Sequence, residues 1–224
     1  VPDSSLSYML ARFVEWFGTD ASRPLWPLDA PQLTALTASV RDACDRGEPL
    51  ALLGTSFAFV HLMDALGEQR FSLPPGSRIM QTGGFKGRSR ELSPEAMRTA
   101  LGAQFGVPDA AIVAEYGMTE LSSQLYETTL RDSLSNAGVA RRLWWPPWLR
   151  VRVVDPERLD PLPEGQLGLV RIDDAANLDS VSAIQTADLG VLLDGGLFLR
   201  GRAQGAVARG CSITADELLR GGRS

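Results

Sequence analysis

Two short segments between residues 81 and 120 have residue types and spacing that suit ligand binding. Gly83 and Gly84 are adjacent, and because they lack a Cβ their backbone can approach a ligand closely. Further along, the run Tyr116-Gly117-Met118-Thr119-Glu120 brings an aromatic ring, a hydroxyl and a carboxylate into one turn. Together they predict a binding site with both backbone and side-chain contacts.

A third candidate for chemistry is Cys211, which lies close to the end of the sequence. Arg209 precedes it, and Thr214 and Glu217 form a capping box for a short helix that follows. A nearby arginine and a helix N-terminus both favour thiolate over thiol, the state in which a cysteine is nucleophilic. The pattern predicts a nucleophile, and a buried cysteine without chemistry is the alternative left open.

The elements around the two glycines predict a β-loop-α-β unit. Arg78–Thr82 is an apolar-rich strand that ends at the glycine pair, and Ser93 is typical of a helix cap. The helix is expected to end at Gly106, before a second strand at Ala110–Ala114. Such a unit implies parallel strands with a right-handed crossover, so both loops are expected at carboxyl ends of strands, where open α/β sheets bind ligands.

The rest of the chain adds helices before this unit and short strands after it. Helical spacing predicts helices over 6–17, 31–46 and 55–65, and residues 121–140 are expected to be helical at first and then loop. The first helix could also offer its apolar stripe to a partner or membrane, although core packing is the favoured interpretation. Strands are predicted at 49–54, 149–154 and 167–172, with a hairpin of 191–193 and 197–200.

These elements predict an α/β fold with a mixed or parallel sheet, flanking helices and a small β subdomain. Three segments are expected: 1–140 as the C-terminal part of an α/β domain, 141–200 as the β-rich subdomain, and 201–224 as a hinge with a short segment that carries Cys211.

Composition excludes several classes of protein. The net charge of −5 over 224 residues argues against a nucleic-acid partner, because phosphate binding needs clustered Lys and Arg. No apolar run approaches the length of a transmembrane segment, and the two cysteines are too few for a disulfide framework. The sequence therefore predicts a cytoplasmic location.

Other reactive residue types are explained more simply as structural. His61 is the single histidine, so a zinc site is not plausible and a Ser-His-Asp hydrolase could use only this residue as its base. Cys44 is interpreted as a small buried hydrophobe. Trp144, Trp145 and Trp148 could line an acyl or aromatic pocket, but a packed connection to the next strand is favoured.

The motifs resemble those of the adenylate-forming enzymes, the superfamily of acyl-CoA synthetases, luciferases and peptide-synthetase adenylation domains. One branch, the acyl-protein synthetase (LuxE) family, is more similar in two segments. These are TGGFKG, from Thr82 to Gly87, and EYGMTEL, from Glu115 to Leu121. Two later runs resemble superfamily motifs as well: Thr186-Ala187-Asp188-Leu189-Gly190 stands where the family has a TGDLG-like run, and Gly201-Arg202 where it has the Gly-Arg before a hinge.

The resemblance implies a nucleotide site with a magnesium ion. Thr119 would bind the α-phosphate of ATP, and Glu120 would hold Mg²⁺. Asp188 would accept hydrogen bonds from the ribose hydroxyls, and Arg202 would contribute positive charge near ribose or phosphate. The remaining residues of the implied site are Tyr116 and Gly117 beside the adenine, with Gly83 and Gly84 on its other side, and Phe85 and Lys86 at the substrate pocket. Lys86 would meet a phosphate or the carboxylate of the acid, and a solvated loop lysine is the alternative left open.

The same resemblance implies the reaction and its partners. The protein would be an enzyme, an acid–thiol ligase that uses ATP and Mg²⁺ to activate a fatty or other carboxylic acid and then transfers the acyl group to Cys211 as a thioester. An acyl reductase or an acyl carrier protein is the expected protein partner.

Departures from the family pattern lead to further expectations. A Ser/Thr/Gly-rich phosphate loop is absent before Gln81, so the sequence is expected to lack the N-terminal part of a longer enzyme and to have little activity alone. Gln204 replaces the hinge aspartate or lysine. Transfer to coenzyme A or a carrier protein is one alternative, and a non-catalytic nucleotide-binding or protein-binding remnant is another. For Thr119 and Glu120, a helix cap and its first-turn acid is the structural alternative.

Overall fold

Helices dominate the first half of the chain and strands the second, as the change in hydrophobic spacing predicts. A computed structural model describes residues 4–25, 30–83, 92–135, 138 and 140–203. The helices are α1 (Ser5–Phe17), α2 (Ala30–Arg46), α3 (Ser56–Leu66), α4 (Pro94–Phe105) and α5 (Thr129–Leu134), with a 3₁₀ turn at Asp109–Ala111. The strands are β1 (Ala51–Thr55), β2 (Arg78–Thr82), β3 (Ile112–Tyr116), β4 (Leu125–Glu127), β5 (Leu143–Trp144), β6 (Leu149–Val154), β7 (Gly168–Asp174), β8 (Ala183–Leu193) and β9 (Gly196–Arg202).

The described residues divide into two compact units, the first ending at Ala114 and the second beginning at Glu115. β3 therefore starts in the first unit and ends in the second. The three segments predicted from the sequence, 1–140, 141–200 and 201–224, stay predictions.

In the first unit, β1 and β2 pair in parallel, with Ala51 opposite Arg78 and Thr55 opposite Thr82. β3 is the other neighbour of β2, as the β-loop-α-β pattern predicts. Helices α3 and α4 follow β1 and β2 in the chain and supply apolar side chains to the core. The largest fully buried side chains of this unit belong to Phe105, Ile79, Met97, Leu101 and Ile112.

Helix α4 has the ends that its sequence predicts. The Ser93 hydroxyl accepts a hydrogen bond from the Ala96 N–H, and Pro94 occupies the first turn, where no N–H is needed. Gly106 ends the helix with a φ of 66°, and a Cβ on it would lie 3.1 Å from the carbonyl oxygen of Phe71. The left-handed backbone angle therefore favours glycine here, and the space for a Cβ is tight.

The second unit is antiparallel, with β4 to β9 in the spatial order β4-β5-β9-β8-β7-β6. Buried residues of β6 and β7 alternate with mostly half-buried ones and form an apolar core with residues of β4, β5 and β9. Its members are Leu121, Leu125, Leu143, Leu149, Val151, Val153, Val170, Ile172 and Leu197. This second unit is therefore built mainly from antiparallel strands.

Strands β8 and β9 contain a register shift. Gly190 pairs with Leu199, yet the preceding residue, Leu189, pairs with Gly201. Arg200 is therefore an extra residue on β9. Gly201 has a φ of 106°, a value that glycine tolerates far better than other residues, and this β-bulge brings Asp188 opposite Arg202.

Several predicted elements differ from the structure. The strand predicted at 191–193 is the end of β8, which begins at Ala183. The segment 121–140, expected to start as a helix, contains β4 and then the short helix α5. Leu121 and Leu125 have helical spacing, but the backbone of Leu125 pairs with Tyr116, and this pairing with β3 overrides the local pattern. The strand predicted at 110–114 begins two residues later, because Asp109–Ala111 forms a 3₁₀ turn after Pro108.

Candidate nucleotide site

Three residues far apart in the sequence meet where the ends of β3 and β9 lie beside the middle of β8. The Tyr116 hydroxyl donates a hydrogen bond to Oδ2 of Asp188, with an oxygen–oxygen distance of 2.6 Å. On the other side of the carboxylate, Nε of Arg202 lies 3.0 Å from Oδ1 of Asp188. The carboxylate is thus fixed by one neutral and one charged donor.

Tyr116 stays a neutral donor in this environment. Burial raises the pKa of its phenol well above the ordinary value, and the negative charge of Asp188 raises it further. A phenolate beside the carboxylate is therefore disfavoured, and the hydroxyl proton remains available for the hydrogen bond to Asp188.

The backbone of Asp188 is held by Thr186, the first residue of the run that sequence analysis singled out. The Thr186 hydroxyl donates to the carbonyl oxygen of Val170 at 2.7 Å and accepts from the Asp188 N–H at 3.1 Å. The run lies inside β8 and links that strand to β7, so the position of the carboxylate is set by the sheet.

Thr119 and Glu120 lie in an exposed turn between β3 and β4. No helix starts at these two residues, so their interpretation as a helix cap and first-turn acid is wrong. Before the turn, a Cβ on Gly117 would lie 2.4 Å from Oε1 of Glu115. A side chain at this position would therefore displace the Glu115 carboxylate.

Sequence reasoning missed two residues that contact this turn, Asp174 and Asn177. Asp174 is fully buried and accepts a hydrogen bond from the Ser122 N–H at 3.0 Å. The Asn177 side-chain amide donates to the carbonyl oxygen of Glu120 at 2.8 Å. An aspartate at the inward end of an alternating strand is the signal that could have identified the first of them, because a buried carboxylate needs donors.

Gly83 belongs to the first unit and ends β2 with a φ of 71°. Its carbonyl oxygen accepts a hydrogen bond from the Ser56 hydroxyl at 2.9 Å, at the start of α3. A Cβ on Gly83 would meet no atom of the described residues within 4 Å. Gly84, Phe85, Lys86 and Cys211 lie outside the described residues.

The tryptophans of the 143–148 segment have two different environments. Trp145 packs against the core of the second unit, as the favoured interpretation predicts. Trp144 and Trp148 are 46% and 54% exposed and line an open cavity of about 370 Å³ together with Tyr126 and Pro146. The segment is both a packed connection and the wall of a cavity.

His61 and Cys44 have ordinary surroundings. His61 is exposed and meets the ring of Phe57 edge to face, with the ring centres 4.3 Å apart. Cys44 is half-buried instead of buried as predicted, and its thiol contacts the carbonyl oxygen of Ser72 at 3.4 Å.

Glu120 is the carboxylate in the exposed turn that could take part in holding a metal. Within the described part of the chain, no three His, Cys, Asp or Glu side chains form a cluster suited to a metal ion. A single carboxylate fits Mg²⁺ when substrate phosphates and waters complete its octahedral shell. The described helices include none with the length and apolar character needed to cross a bilayer.

Residues 4–219 match the family described as acyl-protein synthetase, LuxE. The long-chain-fatty-acid–luciferin-component ligase of Vibrio harveyi is 25% identical over 169 residues, which are 73% of this chain and 42% of that protein. The chain thus spans less than half the length of this relative.

Similar solved structures include three with a TM-score above 0.5. ATP-bound MatB from Rhodopseudomonas palustris has a TM-score of 0.52 and 15% identity, over 90% of this chain and 44% of that one. McyG A-PCP, complexed with phenylalanyl-adenylate, has a TM-score of 0.51 and 22% identity, over 77% of this chain and 29% of that one. The luciferase-like enzyme of the mealworm Zophobas morio has a TM-score of 0.51 and 18% identity, over 78% of this chain and 41% of that one. These likenesses confirm the predicted fold, an α/β fold of the adenylate-forming type.

Proposed function

The chain belongs to the acyl-protein synthetase (LuxE) family, and from this membership we propose that it acts in the ATP-dependent transfer of an acyl group to a protein thiol. The proposed reaction has two steps: formation of an acyl-adenylate from a carboxylic acid and ATP, and transfer of the acyl group to Cys211.

The contact of Tyr116 and Arg202 with Asp188 is the observation that carries this proposal. A carboxylate offers about four acceptor positions, and these two donors use two of them. The remaining positions suit the two hydroxyls of a ribose, while the ring of Tyr116 suits stacking on adenine. Arg202 supplies positive charge beside the same carboxylate.

In the first step, a carboxylate oxygen of the acid attacks the α-phosphorus of ATP. The new P–O bond forms acyl-AMP, and the bond to the β-phosphate breaks to release pyrophosphate. Thr119 is proposed to donate its hydroxyl to an α-phosphate oxygen, where negative charge accumulates in the transition state. Lys86 is proposed to contact a phosphate or the carboxylate of the acid.

Glu120 is proposed to hold Mg²⁺ together with the phosphates. A divalent cation there would neutralise charge on the triphosphate and make pyrophosphate a better leaving group. The exposed position of Glu120 supports this role, because its carboxylate is accessible to a ligand that carries its own phosphate oxygens.

In the second step, the thiolate of Cys211 attacks the carbonyl carbon of acyl-AMP. A C–S bond forms, the C–O bond to AMP breaks, and AMP leaves with the electron pair. Arg209 would stabilise the thiolate, and a reducing cytoplasm, the proposed location, would keep the cysteine free to react.

We propose a fatty acid as the substrate. The name of the Vibrio harveyi relative describes a long-chain-fatty-acid ligase, and Phe85 would offer an apolar contact to such a chain. An acyl reductase or a carrier protein that takes the acyl group from Cys211 is the proposed partner.

The intact mass of the full-length protein tests this proposal after incubation with ATP, Mg²⁺ and a panel of fatty and aryl acids. Wild type is expected to gain one acyl group that hydroxylamine removes, whereas Cys211→Ser gains none. Cys44→Ser is the matched control, since it removes the other cysteine and should leave the adduct unchanged.

Other outcomes would contradict a defined part of the proposal. Release of AMP without an adduct would exclude Cys211 as the acceptor and favour transfer to coenzyme A or a carrier protein. No binding of ATP or AMP at millimolar concentration would exclude adenylation altogether.

A further inference from the structure

We propose that Asp174 and Asn177 are positioning residues that fix the turn carrying Thr119 and Glu120, so that these two side chains meet the phosphates and their cation. The inference rests on the proposed function, because it assigns a purpose to a contact beside the same site. Asp174 is the last residue of β7, and Asn177 follows that strand, so both are far from the turn in the sequence.

Asp174 is a buried carboxylate surrounded by donors. It is 0% exposed, and its Oδ2 accepts the Ser122 N–H at 3.0 Å. Its Oδ1 accepts the Ser123 hydroxyl and the Ala176 N–H, both at 3.0 Å. Burial of a charge is costly unless hydrogen bonds compensate it, and these three donors provide that compensation.

Asn177 holds the neighbouring carbonyl group. Its side-chain nitrogen donates to the carbonyl oxygen of Glu120 at 2.8 Å and to that of Val181 at 2.9 Å. Its Oδ1 accepts the Ser122 hydroxyl at 3.2 Å. The backbone on both sides of Leu121 is thus tied to the β7–β8 connection.

The turn has further attachments on both sides. Leu121 is buried in the core of the second unit, and the Trp148 indole N–H donates to the Ser123 hydroxyl at 3.0 Å. On the other side, Tyr116 is tied to Asp188. Between these attachments, Thr119 and Glu120 remain exposed.

This arrangement fixes the backbone of Glu120 and leaves its carboxylate accessible. A displacement of about 1 Å at a reacting centre can lower a rate about 100-fold, so a fixed backbone has a large effect on the reaction. Because only the main chain of Glu120 is held, loss of Asn177 should change how a cation is held without removing the carboxylate itself.

Asn177→Ala is the first test, with adenylation measured as AMP release at varied Mg²⁺. We expect kcat to fall about 10- to 100-fold, with KM for the acid unchanged and a higher Mg²⁺ concentration needed for half-maximal rate. Excess Mg²⁺ should restore part of the rate, which would not happen if the variant were merely less stable. Asp179→Ala is the matched control, because Asp179 is exposed in the same connection.

A second test needs no turnover. Hydrogen exchange of the Leu121 and Ser122 amides, measured without nucleotide, should become faster in Asp174→Asn, since an amide cannot replace both carboxylate oxygens as acceptors. Asp155→Asn is the matched control: Asp155 accepts the N–H groups of Glu157 and Arg158 at 2.9 Å in its own turn.

The outcomes separate this inference from the proposed function. If the full-length wild-type protein releases no AMP, the proposed function is wrong and the inference falls with it. If wild type is active and Asn177→Ala has the same kcat and Mg²⁺ dependence, the inference alone is wrong. Unchanged exchange in Asp174→Asn would also overturn it, because the turn would then be held by other contacts.

Discussion

At the scale of single residues, Asp188 has the most demanding environment of the candidate site. Its carboxylate accepts a hydrogen bond from the neutral phenol of Tyr116 and pairs with the charged guanidinium of Arg202, and its backbone N–H donates to the Thr186 hydroxyl. Each of these contacts fixes an acceptor that a ribose would need in place before it binds.

Asp188→Asn is expected to weaken the binding of ATP and AMP. Hydrogen bonds to a charged acceptor contribute about 1.5–3 kcal/mol each, so the loss of charge should raise Kd roughly 10- to 150-fold. Isothermal titration calorimetry would measure it.

The control is Asp194→Asn in the turn of the β8–β9 hairpin. Asp194 has a φ of 51°, which asparagine also tolerates, so this change removes the same charge without strain. An equal loss of affinity in both variants would show that net charge, and not the contact, determines binding.

Tyr116 leads to a prediction for alkaline pH. Burial and the nearby Asp188 raise the pKa of Tyr116 above the ordinary 10.0, so the folded protein holds this proton more tightly than the unfolded chain. The stabilisation is complete below pH 10.0 and is lost as the pH rises further.

Urea unfolding between about pH 9 and 11 should therefore show a steeper loss of stability in wild type than in Tyr116→Phe. Tyr126→Phe should change the slope in the same direction, because burial, and secondarily Glu115, raises the pKa of Tyr126 to about 12. Identical pH profiles of wild type and Tyr116→Phe would contradict the expected shift.

Residue types and motifs identified Tyr116, Asp188 and Arg202 as candidates, and the structure brings these three together. Asp174 and Asn177 were not predicted, because their partners are main-chain groups of a distant turn. A contact of that kind leaves no spacing pattern in the sequence.

At the scale of secondary structure, the bulge in β9 determines which residues face each other. Arg200 is the extra residue, and Gly201 takes a φ of 106° to accommodate it. With the number of residues present in this hairpin, Asp188 lies opposite Arg202 only because Arg200 is accommodated as the extra residue.

Gly201→Ala is expected to destabilise the bulge and to weaken nucleotide binding. A Cβ at positive φ costs about 1–2 kcal/mol, which the chain can reduce by shifting the register and moving Arg202 away from Asp188. Thermal unfolding and nucleotide affinity should be measured together.

Gly195→Ala is the control, since Gly195 has a φ of 69° in the hairpin turn and a Cβ would meet no atom of the described part of the chain within 4 Å. It should lower stability and leave the affinity unchanged. If both variants bind nucleotide as wild type does, the bulge has no part in the site.

The elements most accurately predicted are those whose own residues determine both ends. Strand β2 has the predicted bounds, and α4 has its predicted cap and terminal glycine. Strand β4 was not predicted, because its three residues form a strand only through pairing with β3 and β5. Local pattern cannot reveal pairing between distant segments.

At the scale of the whole molecule, ligand binding should be visible as stability. A non-hydrolysable acyl-adenylate analogue at 100 times its Kd would stabilise the protein by about 2.7 kcal/mol. For a chain of this size, Tm should rise by roughly 5–10 °C.

The same analogue should raise the Tm of Asp188→Asn by a much smaller amount, while Asp194→Asn should match wild type. A shift of equal size in all three proteins would show that the analogue binds elsewhere.

The bulge of β9 has a further consequence for insertions and deletions among related sequences. Because Asp188 and Arg202 meet through the pairing of one hairpin, the number of residues between them is constrained as strictly as their identity. Deletion of one residue from the hairpin turn would shift the β8–β9 pairing by one residue, so that the side chains of Asp188 and Arg202 would lie on opposite faces of the sheet. A gap at Arg200 is the exception, since its removal would make the ladder regular and leave Asp188 opposite Arg202.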